Sequence, residues 1–402
     1  MSETTCQPAG APTGPAVPAL LRHRRIAIVG GGPAGLTLAR LLQMQGADVT
    51  VYERDASRAA RGQGGSLDLH EDSGQLALRR AGLIERFRAQ ARFEGQLSRI
   101  VDRHGIERAE LRADHETRTR PEIDRGALRE LLLDSLAPGT VVWDARLEQA
   151  SPDPAGGWRL AFARRREAVG ADLLFGCDGG GSRVRPLRTA VMPVYSGVTF
   201  VQAWLSDVDR RHPEIAARVG PGSLMALGDD RALMAQRNGN ALIRVYAVLR
   251  VAEGWHARCG FDWNDAERAR SALLDRFAGW SAALTELLAR AEPGFEPWPL
   301  HHVPARQCWM PAAGVTLLGD AAHIMPPFTG RGVNLAMLDA LELAHCLSAG
   351  RFDTLDAAIS AYETAMLARM RGAIEETLAA QDLMIAPDAP AGIVARLQGN
   401  EP

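Results

Sequence analysis

Short apolar runs and amphipathic stretches alternate along the chain. Runs at 26–29, 49–52, within 171–177 and at 315–318 read as strands, and each stops at glycine or a carboxylate. Helical periodicity follows the first run at 36–45, closed by Gly46, and the last at 333–347. Between them "SLMALG", "ALMAQR" and "ALIRVYAVLRV" alternate as strands, with turns expected at Asp229-Asp230 and Asn238-Gly239. A final helical stretch covers about 354–380. The pattern predicts an α/β chain of two units, because 402 residues exceed what one small core needs.

Composition changes this picture little. A hydrophobic share of 46% and a charged share of 23% are those of an ordinary globular chain. The formal net charge of -2 gives no electrostatic reason to expect nucleic acid or an anionic membrane. Cys6, Cys177, Cys259, Cys308 and Cys346 are scattered without a CxxC pair, which fits a reducing compartment and argues against a disulfide framework or a zinc site. Residues 1–24, rich in Pro, Ala and Gly, read as a disordered tail rather than a signal peptide, and no run of 18 apolar residues predicts a membrane span. The expectation is a cytoplasmic monomer with no nucleic-acid or membrane partner.

The first strand carries the chemistry forward. In "RRIAIVGGGPAGLTLARLLQMQGADVTVYERD", Gly30, Gly32 and Gly35 form G-x-G-x-x-G between strand and helix, and Glu53 ends the next strand about 20 residues later. Such glycines let backbone approach a pyrophosphate at a helix N-terminus, and the acid can accept from a ribose hydroxyl. This motif alone leaves FAD and NAD both open.

Two further strand ends narrow the choice. "ADLLFGCDGGGSRVR" ends a strand on Cys177-Asp178-Gly179, with Ser182 and Arg185 after it. "LLGDAAHIMPPFTGRGVN" ends one on Gly319-Asp320, then runs through Pro326-Pro327, Gly330 and Gly332 into a helix. Both aspartates sit where strand carboxyl ends meet loops, the ligand edge of an open α/β sheet. Either alone reads as a turn residue or N-cap.

The three motifs in this order resemble the single-component (class A) flavin monooxygenases of the para-hydroxybenzoate hydroxylase type. That resemblance implies a Rossmann-like FAD-binding domain, a β-sheet substrate domain and a C-terminal bracing helix. It assigns Asp320 to the ribityl hydroxyls of FAD, and Asp178 with Arg185 to FAD and the passing nicotinamide cofactor. The family's helical arginine is matched to Arg129, with Arg125 one turn earlier on the same face. Ala34, Arg54, Pro327, Val333 and Asn334 join the cofactor set, and the helix starting near Gly332 would aim its positive end at the flavin. His323 reads as a structural partner.

"GGSLDLH" (64–70), "PEIDR" (121–125) and "VVWDARL" (141–147) are similar to the tetracycline-inactivating flavin monooxygenases, which act in antibiotic resistance. From them Asp68 carries over as an FAD contact, Arg61 as an NADPH contact and Gln202 as a substrate contact. The subfamily's arginine is replaced by Ser223, and its asparagine and histidine by Gln236 and Arg244. Three changed polar contacts put tetracycline itself in question. Met225, Met234, Trp204 and Phe328 are expected to line the cavity.

The expected FAD domain is 25–82, 111–187 and 285–327; the substrate domain is 83–110 and 188–284; the helical part is 328–402. The resemblance implies that NADPH reduces FAD, O2 forms a flavin C4a-hydroperoxide, and an aromatic or enolic carbon is hydroxylated. The flavin carries that chemistry, so no catalytic protein residue and no metal is assigned. A reductase of the same fold would consume no oxygen; a non-catalytic binding relative would lack the equivalent of Asp320; a dehydrogenase leaves the two later aspartates unexplained.

Overall fold

The computed structural model describes residues 17–60, 64–111, 120–165, 167–309 and 312–399. Its first unit is built on a five-stranded parallel sheet in the order Val315–Leu317, Leu173–Gly176, Ile26–Val29, Val49–Tyr52 and Val141–Val142. The strands are almost continuously apolar because both faces of the sheet are covered. Helix Pro33–Met44 packs on one face with helix Gly332–Ser348. The three-stranded sheet Leu147–Pro152, Trp158–Phe162 and Val169–Ala171 contributes Leu160 and Phe162 to the same core. Phe162 stacks on Tyr52 at 4.7 Å. Parallel pairing brings the carboxyl ends of four strands to one edge, so Gly30, Glu53, Asp178 and Asp320 converge although they are up to 290 residues apart.

The second unit is a seven-stranded sheet in the order Glu296–His302, Val194–Leu205, Leu242–Arg250, Arg231–Asn238, Ser223–Gly228, Ser98–Asp102 and Glu107–Leu111. One face buries Val201, Ala203, Ile243 and Val245 against helices Ala266–Arg276 and Ala282–Ala289. The Asp229-Asp230 turn forms as expected, with φ of 51° and 58°. The second turn falls instead on Asn240 and Ala241 (φ 57° and 53°). Asn238 is still a strand residue, its side chain donating to Gln236 O at 2.9 Å.

Two expected boundaries move. The stretch 285–302 belongs with the large sheet rather than the FAD unit, since Glu296–His302 pairs with Val194–Leu205 and Leu287 and Leu288 lie in that sheet's core. Pro297 and Pro299 obscure the strand pattern, and they are tolerated because this strand is at the sheet edge. Conversely, Leu83 and Phe87 are buried in the first core, while 98–111 joins the large sheet.

Helix Leu355–Met384 braces both units. Its Tyr362 hydroxyl donates to Leu317 O (2.9 Å), Thr377 to Pro326 O (2.7 Å) and Gln381 to Ser196 O in the large sheet (3.0 Å). Among the described residues, no helix is long and apolar enough to cross a membrane.

Candidate functional site

At the parallel-sheet edge, Gly30 adopts φ 108°, and a Cβ there would lie 2.2 Å from Cys177 O. Only glycine permits that approach. Beside Gly32, by contrast, a Cβ would meet nothing within 4 Å. Helix Pro33–Met44 begins there with no side-chain cap, so its first amides have no intrahelical or side-chain partner, and Ala34 is buried in the first turn. Glu53 is buried and accepts from Gly31 N at 2.6 Å and from Asp55 N at 2.9 Å. Each carboxylate oxygen retains a lone pair for a ribose hydroxyl. Arg54 is exposed beside it. Arg61 lies outside the described residues.

The two helical arginines have different surroundings. Arg129 is buried, and its guanidinium donates to Gly31 O (3.4 Å), Arg58 O (3.1 Å) and Asp55 (3.1 Å) while covering Trp143. It therefore fixes the glycine loop from behind. Arg125 is the exposed member; burial lowers the Arg244 pKa and Arg125 adds to that, while burial raises the Tyr246 pKa and the positive charges of Arg244 and Arg125 oppose the rise. Spacing put the two on one helix face but could not show which one the fold would bury.

The two later aspartates face the same edge. Asp178 accepts from Arg183 N at 2.7 Å through one oxygen, while its Oδ1 is buried with no hydrogen-bond partner among the described residues. Burial pushes its pKa up. Arg185 donates to the carbonyls of Ala321, Gly180 and Asp320, each at 2.8 Å, and so clamps the two aspartate loops together. The Asp320 side chain is exposed at the start of Asp320–His323. His323 is structural, as expected: its Nε2 lies 2.6 Å from Asp339, which also accepts from Gly319 N (3.0 Å) and pairs with Arg369 (2.8 Å). Burial alone would lower the His323 pKa, but Asp339 outweighs it and holds the imidazole above its ordinary value.

Pro327–Thr329 forms one turn, and Gly330 follows at φ 66° with the Asp68 carboxylate against it. Helix Gly332–Ser348 has no side-chain cap, leaving the amides of Gly332, Val333 and Asn334 without intrahelical partners. The Asn334 side chain is not available to a ligand: it accepts from His70 N and donates to Asp68 O, both at 2.8 Å. It sews the 68–70 segment to this loop. Together these features fit an anionic dinucleotide: open space at Gly32, two uncapped helix starts, the orphaned Asp178 oxygen and the exposed Asp320.

The expected substrate residues share the face of the large sheet opposite the one covered by helices Ala266–Arg276 and Ala282–Ala289. Gln236 pairs directly with Ser223 and Arg244, Met234 with Met225 and Tyr246, and Gln202 with Tyr246, while Trp204 pairs with Arg244. The period of two therefore puts all of them on one side. Phe200 and Trp298 continue that face, and Phe328 reaches it from the first unit, 5.7 Å from Phe200 and perpendicular to it. Ser223 is engaged by Ser98 at 2.8 Å. Met225 and Met234 pack towards the end closed by Met384, Ile385, Ala389 and Ile393. Phe200, Tyr246 and Trp298 escaped the sequence reading, although each stands two positions from an expected contact or opposite one that does.

Arg244 is the central cation here. Its guanidinium lies over Trp204 (4.8 Å) and Tyr246 (5.1 Å), donates to Gln202 Oε1, and leaves Nε without a hydrogen-bond partner among the described residues. Gln202 in turn donates to Glu296. Gly65 presses on it from the first unit: a Cβ there would lie 2.5 Å from Arg244 Nη1. Burial pulls the pKa of Arg244 down.

Residues 24–377 match the FAD binding domain family. The chain is 33% identical to Monooxygenase penA of Penicillium thymicola, over 88% of this chain and 93% of that one. It is also 33% identical to the 3-amino-4-hydroxybenzoate 2-monooxygenase PtnB3 of Streptomyces platensis, over 87% and 86%. The solved structure of tetracycline destructase Tet(51) is similar in fold, with a TM-score of 0.70 at 17% identity, covering 94% of this chain and 95% of that one. The glycine loop and the two aspartate loops meet at one sheet edge, and the chain belongs to the FAD binding domain family and is an FAD-dependent monooxygenase of the class A type.

Proposed function

We propose that the enzyme uses NADPH and O2 to hydroxylate an aromatic or enolic small molecule, next to an anionic group that Arg244 holds. The observation that carries this reading is the Arg244 guanidinium, half-buried over Trp204 and Tyr246 and bonded to an amide rather than a carboxylate. Its nearest acidic group, Glu296, acts through Gln202 rather than by direct contact, and a phenolate, enolate or carboxylate against the partly desolvated guanidinium would be a closer partner. Arg125 adds positive charge to the same region. The name of the relative PtnB3, a hydroxybenzoate monooxygenase, fits such a substrate.

Bound FAD, once reduced by NADPH, supplies the oxygen-activating chemistry. The chain's own residues bind, orient and exclude water. Asp320 and the amides following Gly32 would hold the dinucleotide, and the uncapped turn at Gly332 would offer N–H groups to its negative charge. Phe328 and Phe200 meet edge to face and shield the reacting region.

The test follows NADPH oxidation and oxygen uptake by the holoenzyme with a panel of anionic phenols, tetracycline and no substrate. Anionic phenols should stimulate both by about tenfold or more over tetracycline, in line with discrimination by paired polar groups. NADPH should be used in preference to NADH, through Arg61 and the 2′-phosphate. Equal kinetics with the two nucleotides, or stimulation by tetracycline alone, would overturn the corresponding assignment.

A further inference from the structure

The polar end of the sheet face is roofed by a two-stranded ribbon, Ser66–Asp68 paired with Glu122–Asp124. Its position is fixed from two sides. A Cβ on Gly64 would lie 2.7 Å from the Trp204 ring, and the Asp124 carboxylate accepts from Gly239 N at 3.2 Å. Glu122 hangs from this ribbon into the junction between the two units, only 7% exposed. Its Oε1 accepts from Gln236 Nε2 at 3.5 Å, and its Oε2 is buried with no hydrogen-bond partner among the described residues. The closest cation, Arg92, stands 3.9 Å away and is already engaged by Asp124 and Ser66, each at 2.8 Å.

An ionised carboxylate only accepts hydrogen bonds. Facing Glu122, the Gln236 amide must turn its NH2 group to the roof, which sends its carbonyl oxygen the other way, on the strand position paired with Arg244. The cleft then presents a cation and an acceptor side by side. We infer that Glu122 is a positioning residue that fixes the Gln236 amide, and thereby selects substrates carrying an O–H or N–H donor beside their anionic group. This rests on the reading of Arg244 as the anion-holding residue and narrows it to a substrate class.

The same geometry makes the selection pH-dependent. Burial lifts the Glu122 carboxyl to about 7, with Asp68 across the ribbon adding to the rise and Ser66, Arg92 and Gln236 opposing it. Those are the polar and charged groups facing it, together with His70, which is paired with Asp68, and Asp124, which holds Arg92. Above that pH, Glu122 accepts only. Below it, Glu122 carries an O–H that can donate to the Gln236 oxygen, and the amide is free to reverse.

The experiment titrates the holoenzyme's flavin absorbance with meta-hydroxybenzoate and meta-fluorobenzoate, matched carboxylates of which only the first offers a donor. At pH 8 the parent should bind the hydroxy compound roughly tenfold more tightly, the scale of one hydrogen bond to a buried acceptor. In Glu122→Gln, whose amide both donates and accepts, that ratio should fall to within about twofold while FAD stays bound. The parent alone gives a second readout, since its ratio should fall towards one as pH drops below 7. A parent without preference for the donor at pH 8, or a ratio that survives both Glu122→Gln and acidification, overturns the inference. Arg244→Ala probes the underlying reading separately: it should weaken both ligands alike, and if it weakens neither, the anion assignment fails instead.

Discussion

Asp320→Ala is expected to weaken FAD binding by roughly ten- to a hundredfold, equivalent to about 1.5–3 kcal/mol, the range for hydrogen bonds to a charged group. The Asp320 carboxylate is exposed at the ligand edge of the parallel sheet, the position that the sequence resemblance assigns to the ribityl hydroxyls. Its backbone carbonyl is held independently by Arg185 at 2.8 Å. Removing the side chain should therefore leave the loop in place and delete only the ligand contact. Titration of apoprotein with FAD, followed by flavin fluorescence, reads this directly. An unchanged dissociation constant would remove Asp320 from the cofactor site.

Arg244→Ala should have the larger catalytic effect. For an anionic substrate, kcat/KM should fall roughly a hundred- to a thousandfold, about 3–4 kcal/mol, because the substrate's charge is left buried without its partner. A neutral analogue should lose far less. Arg244→Lys should recover only part of the loss, since an ammonium cannot reproduce the flat guanidinium over Trp204 and Tyr246. FAD content should be unchanged, because the residue sits on the large sheet rather than at the dinucleotide edge. Equal losses for charged and neutral substrates would mean that Arg244 supports the fold of the pocket and does not recognise charge.

What the sequence made legible follows from how local each requirement is. The glycine loop could be read because Gly30 and Gly35 are dictated by backbone contacts within one strand–turn–helix unit. The shared face of Gln202, Met225, Met234, Gln236 and Arg244 could be read because strand periodicity and correctly placed hairpin strands fix it. Strand Glu296–His302 stayed hidden behind two prolines that an interior strand would not tolerate. The different fates of Arg125 and Arg129, and the capture of the Asn334 side chain by the 68–70 segment, depend on contacts 71 to 266 residues away in sequence. Glu122 belongs to the same class. Nothing in "PEIDR" announces a carboxyl lifted to about 7; that comes from docking its ribbon against a distant sheet.

In the proposed reaction one atom of O2 is inserted into an anionic aromatic or enolic substrate. The most direct measurement is mass spectrometry of the product formed by the holoenzyme with NADPH under isotopically heavy oxygen gas, using the best substrate from the anionic-phenol panel. Each product molecule should carry one heavy oxygen, with one NADPH consumed for each. NADPH oxidation that returns all the oxygen as hydrogen peroxide, or a product whose new oxygen comes from water, would contradict it.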